Sequence, residues 1–386
     1  MSSADPGAAD RGAAGVSAVP ADGRPPVVLA AAQLPPLVMR CGAFGDMVLL
    51  TVLLERLRMR FGRRVDVIAS GPWSEPLLAQ HSAVGRLYLL RSRRTPYWLS
   101  RAQRRLVAEL RARGAGPTWF CDRGEGRGLL NRAGIPEDYI CDSTAFPFVA
   151  GENFADRYLR LGAWTPPAFE GLLPQAPPGG ARAAHLEVSD GARRELDAWL
   201  ERRGLAGRDF MVVHPGSRHM ARRRLRPRAG AAKYWPEGHW AAVVRGVRAH
   251  RPLDAIVFSG TRSERSLNDD VMRLAGVSDL HNAAGDLPVA RLLPLLERAR
   301  SLISVDTGPA HAAAALGCPT VALFGHIDPW LYRPGGATTP AATLTGRIDG
   351  VPNILGIGPE RVIAAWLELT HPIDAHSGDS VKSPNS

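Results

Sequence analysis

Four short stretches of this 386-residue chain combine glycine with side chains that can hold phosphate or move a proton. The densest is Ser304-Val-Asp-Thr-Gly-Pro-Ala-His311, which reads as a buried strand ending in a tight turn that opens a helix. Asp306 or Thr307 would be the N-cap, Gly308 would relieve the turn, and Pro309 would sit near the first helical position. Such an elbow aims unpaired backbone N–H groups at whatever lies above it. A helix N-terminus carries roughly half a positive charge, so a phosphate is its natural guest. An ordinary strand-to-helix connection would need neither Asp306 nor His311.

The other three stretches extend this chemistry. In Gly42-Ala-Phe-Gly-Asp46, Asp46 opens a helix, where it is either a carboxylate favoured by the helix dipole or a general base. In His214-Pro-Gly-Ser-Arg218, Ser217 offers a hydroxyl and Arg218 a guanidinium suited to phosphate oxygens. In Ser259-Gly-Thr-Arg262, followed by Glu264, the carboxylate either accepts two hydrogen bonds from a ribose diol or caps a helix. His311 either donates to a phosphate oxygen or is a satisfied buried histidine. Lys233 is the only lysine in the body of a chain whose other lysine is Lys382. A point-like ammonium differs from the arginine fork used everywhere else, so the site around it is expected to want the former. Asp328, before Pro329, reads as a turn initiator.

To converge, these turns must lie at the carboxyl ends of neighbouring strands, and the pattern supplies the elements. A strand at 35–40, a helix from Met47 to Phe61 and a strand from Val65 to Ala69 make a βαβ opening. A helix from Ser100 to Arg113, a strand from Thr118 to Cys121 and a helix from Asn153 to Leu161 follow. Residues from Trp164 to Gly180 are dense in Pro and Gly and read as a linker. Beyond it come a helix from Ser189 to Arg203 and strand Phe210–His214. A helix near 236–250, strand Ala255–Ser259 and helices from Ser263 to Leu274 and Val289 to Ala299 lead to the elbow. This alternation argues for α/β units with mostly parallel sheets, in which ligands bind beyond the carboxyl ends of the strands.

The expected organisation is a disordered tail at 1–34, a first domain at 35–175, a second at 185–350 and a disordered tail at 371–386. The terminal helix, 359–370, is expected to pack back on the first domain. Cys41, Cys121, Cys141 and Cys318 are scattered, so neither a zinc site nor a disulfide framework is suggested, and a reduced cytoplasm fits. Neither a spanning helix nor a secretory signal is expected. The net charge of +11 attracts anions, but the basic runs lack interleaved aromatics and so argue against nucleic acid. No Ser-His-Asp order, HExxH or Walker A loop occurs, and no proper GxGxxG supports a nicotinamide oxidoreductase.

Arg40-Cys-Gly-Ala-Phe-Gly-Asp-Met-Val-Leu-Leu50, His214-Pro-Gly-Ser217, Lys233-Tyr-Trp-Pro236, the Asp306–His311 element and Ala322-Leu-Phe-Gly325 occur in this order. Together they resemble glycosyltransferase family 9, the ADP-heptose:lipopolysaccharide heptosyltransferases. The resemblance implies an α/β fold of GT-B architecture: two Rossmann-like, doubly wound domains facing across a cleft. It implies an inverting transfer of heptose from ADP-heptose to a lipopolysaccharide inner-core or related acceptor, with no metal or cofactor. Asp46 would deprotonate the acceptor, and Lys233 with the Ser217–Arg218 turn would steady the diphosphate. Asp306, Thr307, Gly308 and His311 would bind the donor sugar and phosphates, and Glu264 the ribose. Arg40, Gly42 and Gly45 would form the acceptor-side turn. The expected partners are the nucleotide sugar and a phosphorylated glycolipid, met in the cytoplasm at the inner face of the membrane. Another donor, a protein acceptor or a binding protein without turnover are the alternatives. Two features depart from the family pattern: the basic segment 219–232 is longer, and His326-Ile327 replaces the usual Pro-Thr.

Overall fold

The computed structural model describes residues 25–92, 95–122, 124, 126–180, 182–217, 233–252, 254–335 and 341–370. The first unit runs α1 (Pro26–Ala32), β1 (Leu37–Arg40), α2 (Phe44–Phe61), β2 (Val65–Ala69), α3 (Ser74–Leu78), β3 (Val84–Leu89), α4 (Arg101–Arg113), β4 (Thr118–Phe120), α5 (Arg127–Arg132), β5 (Ile140–Asp142) and α6 (Phe154–Ala163). Its five strands form one parallel sheet in the order β3-β2-β1-β4-β5. β1 and β2 lie inside the sheet and are buried on both faces, as a sheet covered by helices on each side requires.

The second unit continues with α7 (Asp190–Arg202), β6 (Phe210–His214), α8 (Glu237–His250), β7 (Ala255–Phe258), α9 (Arg265–Ala275), β8 (Leu280–Asn282), α10 (Val289–Arg298), β9 (Leu302–Val305), α11 (Gly308–Ala315), β10 (Thr320–Phe324), α12 (Pro329–Tyr332) and β11 (Ala341–Thr345). A short hairpin, β12 (Arg347–Ile348) and β13 (Val351–Pro352), precedes α13 (Pro359–Thr370). The second sheet is also parallel, ordered β11-β10-β9-β6-β7-β8. Two Rossmann-like α/β domains are therefore present, and the strand order reverses at β1/β4 in one and at β6/β9 in the other. Those switch points are where crevices open in such sheets.

Between the sheets the chain is fastened to the first domain by two buried arginines of α2. Arg60 donates to the carbonyls of Gly162, Trp164 and Pro174, and Arg56 to that of Gly179. From Ala184, whose N–H donates to Gly335 O, it joins the second domain.

The terminal helix corrects an expectation. α13 packs on α8, β10 and β11 of the second domain, not on the first. Val362, Ala365 and Trp366 share one helix face, and that stripe is buried against the second sheet, with Trp366 Nε1 donating to Ser301 Oγ at 2.9 Å. The N-terminal tail is also shorter than expected. Pro26 sets the first turn of α1, which buries Ala31 in the first core. Residues 1–24 and the expected tail at 371–386 lie outside the described residues.

Candidate active site

The four glycine-bearing turns lie at the carboxyl ends of β1, β6, β7 and β9, as the pattern required. What brings the two domains' turns together is an interlock of helix starts. α11 is Gly-Pro-Ala-His-Ala-Ala-Ala-Ala with every residue from Pro309 on buried, so its small side chains let α2 approach closely. A Cβ placed on Gly308 would lie 2.5 Å from Phe44 Cγ and 2.6 Å from Phe44 Cβ. One on Gly45 would lie 2.8 Å from His311 Cδ2. Each glycine thus exists to admit a ring from the opposite domain. This corrects the reading of Gly308 as turn relief: it is absent from the positive-φ glycines, and its role is close approach.

Asp46 therefore stands one residue from the contact with His311. Its Oδ2 accepts from Ala43 N at 2.9 Å and faces Arg40 Nη2 at 3.4 Å. Arg40 is itself anchored on Cys121 O at the end of β4. Gly42 leaves the space that Asp46 fills, since a Cβ there would meet Asp46 Cβ at 2.5 Å. Trp73, outside the residues singled out from the sequence, donates from Nε1 to Gly42 O at 3.3 Å and covers Gly71, whose φ is +102°. Its turn, Ser70-Gly-Pro-Trp73, ends β2 and is a fifth strand end of the same kind, so the rule that found the other four would have found it.

On the second domain, Lys233 Nζ donates to both the carbonyl oxygen and Oδ2 of Asp306, each at 2.6 Å. Two acceptors on one residue suit a compact ammonium with three donors, which explains a lysine here. Burial alone would raise the Asp306 pKa. His311 and Lys233 outweigh it and hold the carboxylate below its usual range. His311 Nε2 stands 3.8 Å from Asp306 Oδ1, beyond hydrogen-bond reach but close enough to act on its charge.

With Asp306 engaged, Thr307 becomes the N-cap residue of α11. Its hydroxyl donates back to Val305 O, so no side chain caps the helix start. Two buried polar atoms of the turns that follow β6 and β9 have no hydrogen-bond partner: Ser217 Oγ and His311 Nδ1. An unpaired buried group costs about 1–3 kcal/mol, and a polar ligand would recover it. Arg218 lies outside the described residues.

Glu264 resolves into a mainly structural position. Its Oε2 accepts from Thr261 N at 2.6 Å and Thr261 Oγ1 at 2.8 Å, the reciprocal cap of a short helix start. Its Oε1 borders Gly216, where a Cβ would come within 2.6 Å. Beneath it, His214 Nδ1 pairs with Ser259 Oγ at 2.9 Å, and burial pushes the imidazole pKa down, so His214 is neutral. Asp328 is a turn former, accepting from Trp330 N at 2.9 Å. Among the described residues no group of three or more His, Cys, Asp or Glu side chains is arranged to hold a metal ion.

Residues 184–345 match the family described as Glycosyltransferase family 9 (heptosyltransferase). Over those residues the chain is similar to glycosyltransferase family 9. The chain is 26% identical over 217 residues to lipopolysaccharide heptosyltransferase 3 of Escherichia coli, a match covering 53% of the chain and 57% of that protein. The likeness in sequence thus spans little more than half of that relative. It is 24% identical to lipopolysaccharide heptosyltransferase 2 of Salmonella typhimurium over 312 residues, covering 74% of the chain and 81% of the relative. The solved structure of the Escherichia coli ADP-heptose lipopolysaccharide heptosyltransferase II superposes with a TM-score of 0.66 at 20% identity. That match covers 87% of this chain and 98% of that one. It shows a shared fold, the paired Rossmann-like domains of GT-B.

Proposed function

We propose that this chain is a glycosyltransferase of family 9 that transfers heptose from ADP-heptose to a hydroxyl of a lipopolysaccharide inner-core or related acceptor, inverting the anomeric centre without a metal. The observation that carries the reading is the interlock of Phe44 with Gly308 and of Gly45 with His311. It sets a carboxylate from one domain against an uncapped helix start from the other. The relatives' names point to the same donor and acceptor.

In this reading the acceptor hydroxyl gives its proton to Asp46 while its oxygen bonds the anomeric carbon. The carbon–oxygen bond to the diphosphate breaks on the opposite face, and ADP leaves with the electron pair. The charge gathering on ADP is offset by the start of α11, by the third N–H of Lys233 and by Ser217 Oγ. His311 Nδ1 takes a donor oxygen, and Glu264 Oε1 the ribose. Arg40, Gly42 and Gly45 hold the acceptor-side turn. The acceptor reaches the enzyme at the inner face of the cytoplasmic membrane.

A thermal-shift panel of ADP, UDP, GDP and their sugars tests the donor. A nucleotide at 100 times its Kd stabilises by about 2.7 kcal/mol. ADP and ADP-heptose should raise the midpoint well above the others. Equal or larger shifts with UDP or GDP would overturn the donor assignment.

A further inference from the structure

We propose that the turn between β3 and α4, residues 95–101, is a docking tip that seats this protein on anionic phospholipid headgroups. Trp98 and Leu99 are adjacent and 73% and 58% exposed. They are held out rather than left loose. Tyr97 packs beside the first core under the Arg132 guanidinium, 4.8 Å from its ring centre. The buried Gln103 amide donates to Ser92 O at 3.0 Å and Thr95 O at 2.8 Å, and buried Ser100 caps α4. An indole and a leucine fixed outward suit the interfacial zone of a bilayer, where one end of the indole is apolar and the other wet.

The charge around the tip selects the surface. From Arg91 to Arg105 the sequence has six arginines and no acid. Arg91, Arg101 and Arg104 are exposed, and no carboxylate among the described residues pairs with them. Arg105 is engaged by Glu109. One aromatic side chain without a series of stacking partners does not fit a nucleic-acid strand. β3 is an edge strand, and the tip follows its carboxyl end, the end that carries Asp46. The loop after β5, at the opposite edge, meets the second domain through Trp330 Nε1 to Gly151 O and the Phe154–Tyr332 pair. The tip therefore stays uncovered with both domains in place. The inference gains its purpose from the glycolipid acceptor proposed above but stands on the tip's own chemistry, so binding and transfer are measured separately.

Cosedimentation of the full chain compares vesicles of phosphatidylethanolamine with phosphatidylglycerol against phosphatidylcholine alone. The wild type should partition to the anionic vesicles. Each interfacial arginine is worth about fivefold, so Arg101→Gln with Arg104→Gln should cost about twenty-fivefold. Trp98→Ser with Leu99→Ser should lose at least tenfold in partitioning while ADP release with a soluble acceptor is unchanged. Should that variant fold poorly, Leu99→Cys carrying an environment-sensitive dye reads the same contact. The native thiols are all buried, and those of Cys121 and Cys318 are pushed up to about 12 by burial, so labelling is selective. The dye should brighten only with anionic vesicles. Wild type left in the supernatant, partitioning indifferent to lipid charge, a dye that does not respond, or a dimer that depends on the tip would each overturn the proposal. None of these would bear on ADP-heptose turnover.

Discussion

Lys233 shows how much a single residue can say. Its rarity among arginines was legible in the sequence. Its partner was not, because Asp306 lies 73 positions away and meets it only through the order of β6 and β9. An arginine fork cannot place two donors on one residue's carbonyl and carboxylate as a point-like ammonium does. Lys233→Arg should therefore weaken ADP binding by about tenfold, the cost of one charge-assisted bond, read by calorimetry. Asp306 adds a pH signature. Its folded pKa lies below the unfolded value near 3.9, so its contribution is present above about pH 4 and lost as pH falls through the lower folded value. Asp306→Asn should lose less stability than the wild type between about pH 5 and pH 3 in denaturant titrations. For Glu264 the sequence left cap and ribose ligand open. The structure shows the cap, and the ribose contact belongs to the proposal.

At the scale of elements, the meeting of α2 and α11 defines the cleft. Gly308→Ala would drive a methyl into Phe44, whose Cβ and Cγ cannot swing away as the end of a flexible side chain could. It should part the helix starts and lower kcat at least tenfold, with a loss of about 1–3 kcal/mol from overpacking. Adding Phe44→Ala should restore much of the stability, and a double-mutant cycle measures the coupling. Additive effects would contradict the interlock. Sequence spacing located both helices but not their contact, since nothing in Gly308-Pro-Ala-His announces a ring from another domain. Strands with continuous apolar runs, such as β6 and β7, were legible. β3 was not, because its edge position leaves an irregular exposure pattern, and β5 and β8 are too short to show a period. The docking of α13 also escaped, because an apolar stripe names a face and not its partner.

For the whole molecule, one apolar cluster runs from α2 through α11 into β6, β7 and α10, so the two domains share a core. Buried histidines sit on both sides of it. Burial pushes His81 and His214 below their ordinary pKa, partly countered by Glu55 and Glu187 for the first and by Glu264 for the second. Their folded pKa values lie below the unfolded value near 6.5, so the fold binds fewer protons and stability is lost as pH falls below about 6.5. The thermal midpoint should drop between about pH 7 and pH 5.5, and His81→Asn or His214→Asn should flatten that slope.

The central claim is that a base on one domain faces a donor on the other. It is tested most directly by following ADP release from ADP-heptose with a heptose-deficient glycolipid acceptor, in the wild type and in Asp46→Asn, with donor affinity measured alongside. The wild type should release ADP in step with acceptor glycosylation. Asp46→Asn should bind ADP-heptose equally well and turn over about 10²–10⁴-fold more slowly. Turnover by Asp46→Asn at the wild-type rate would contradict the account.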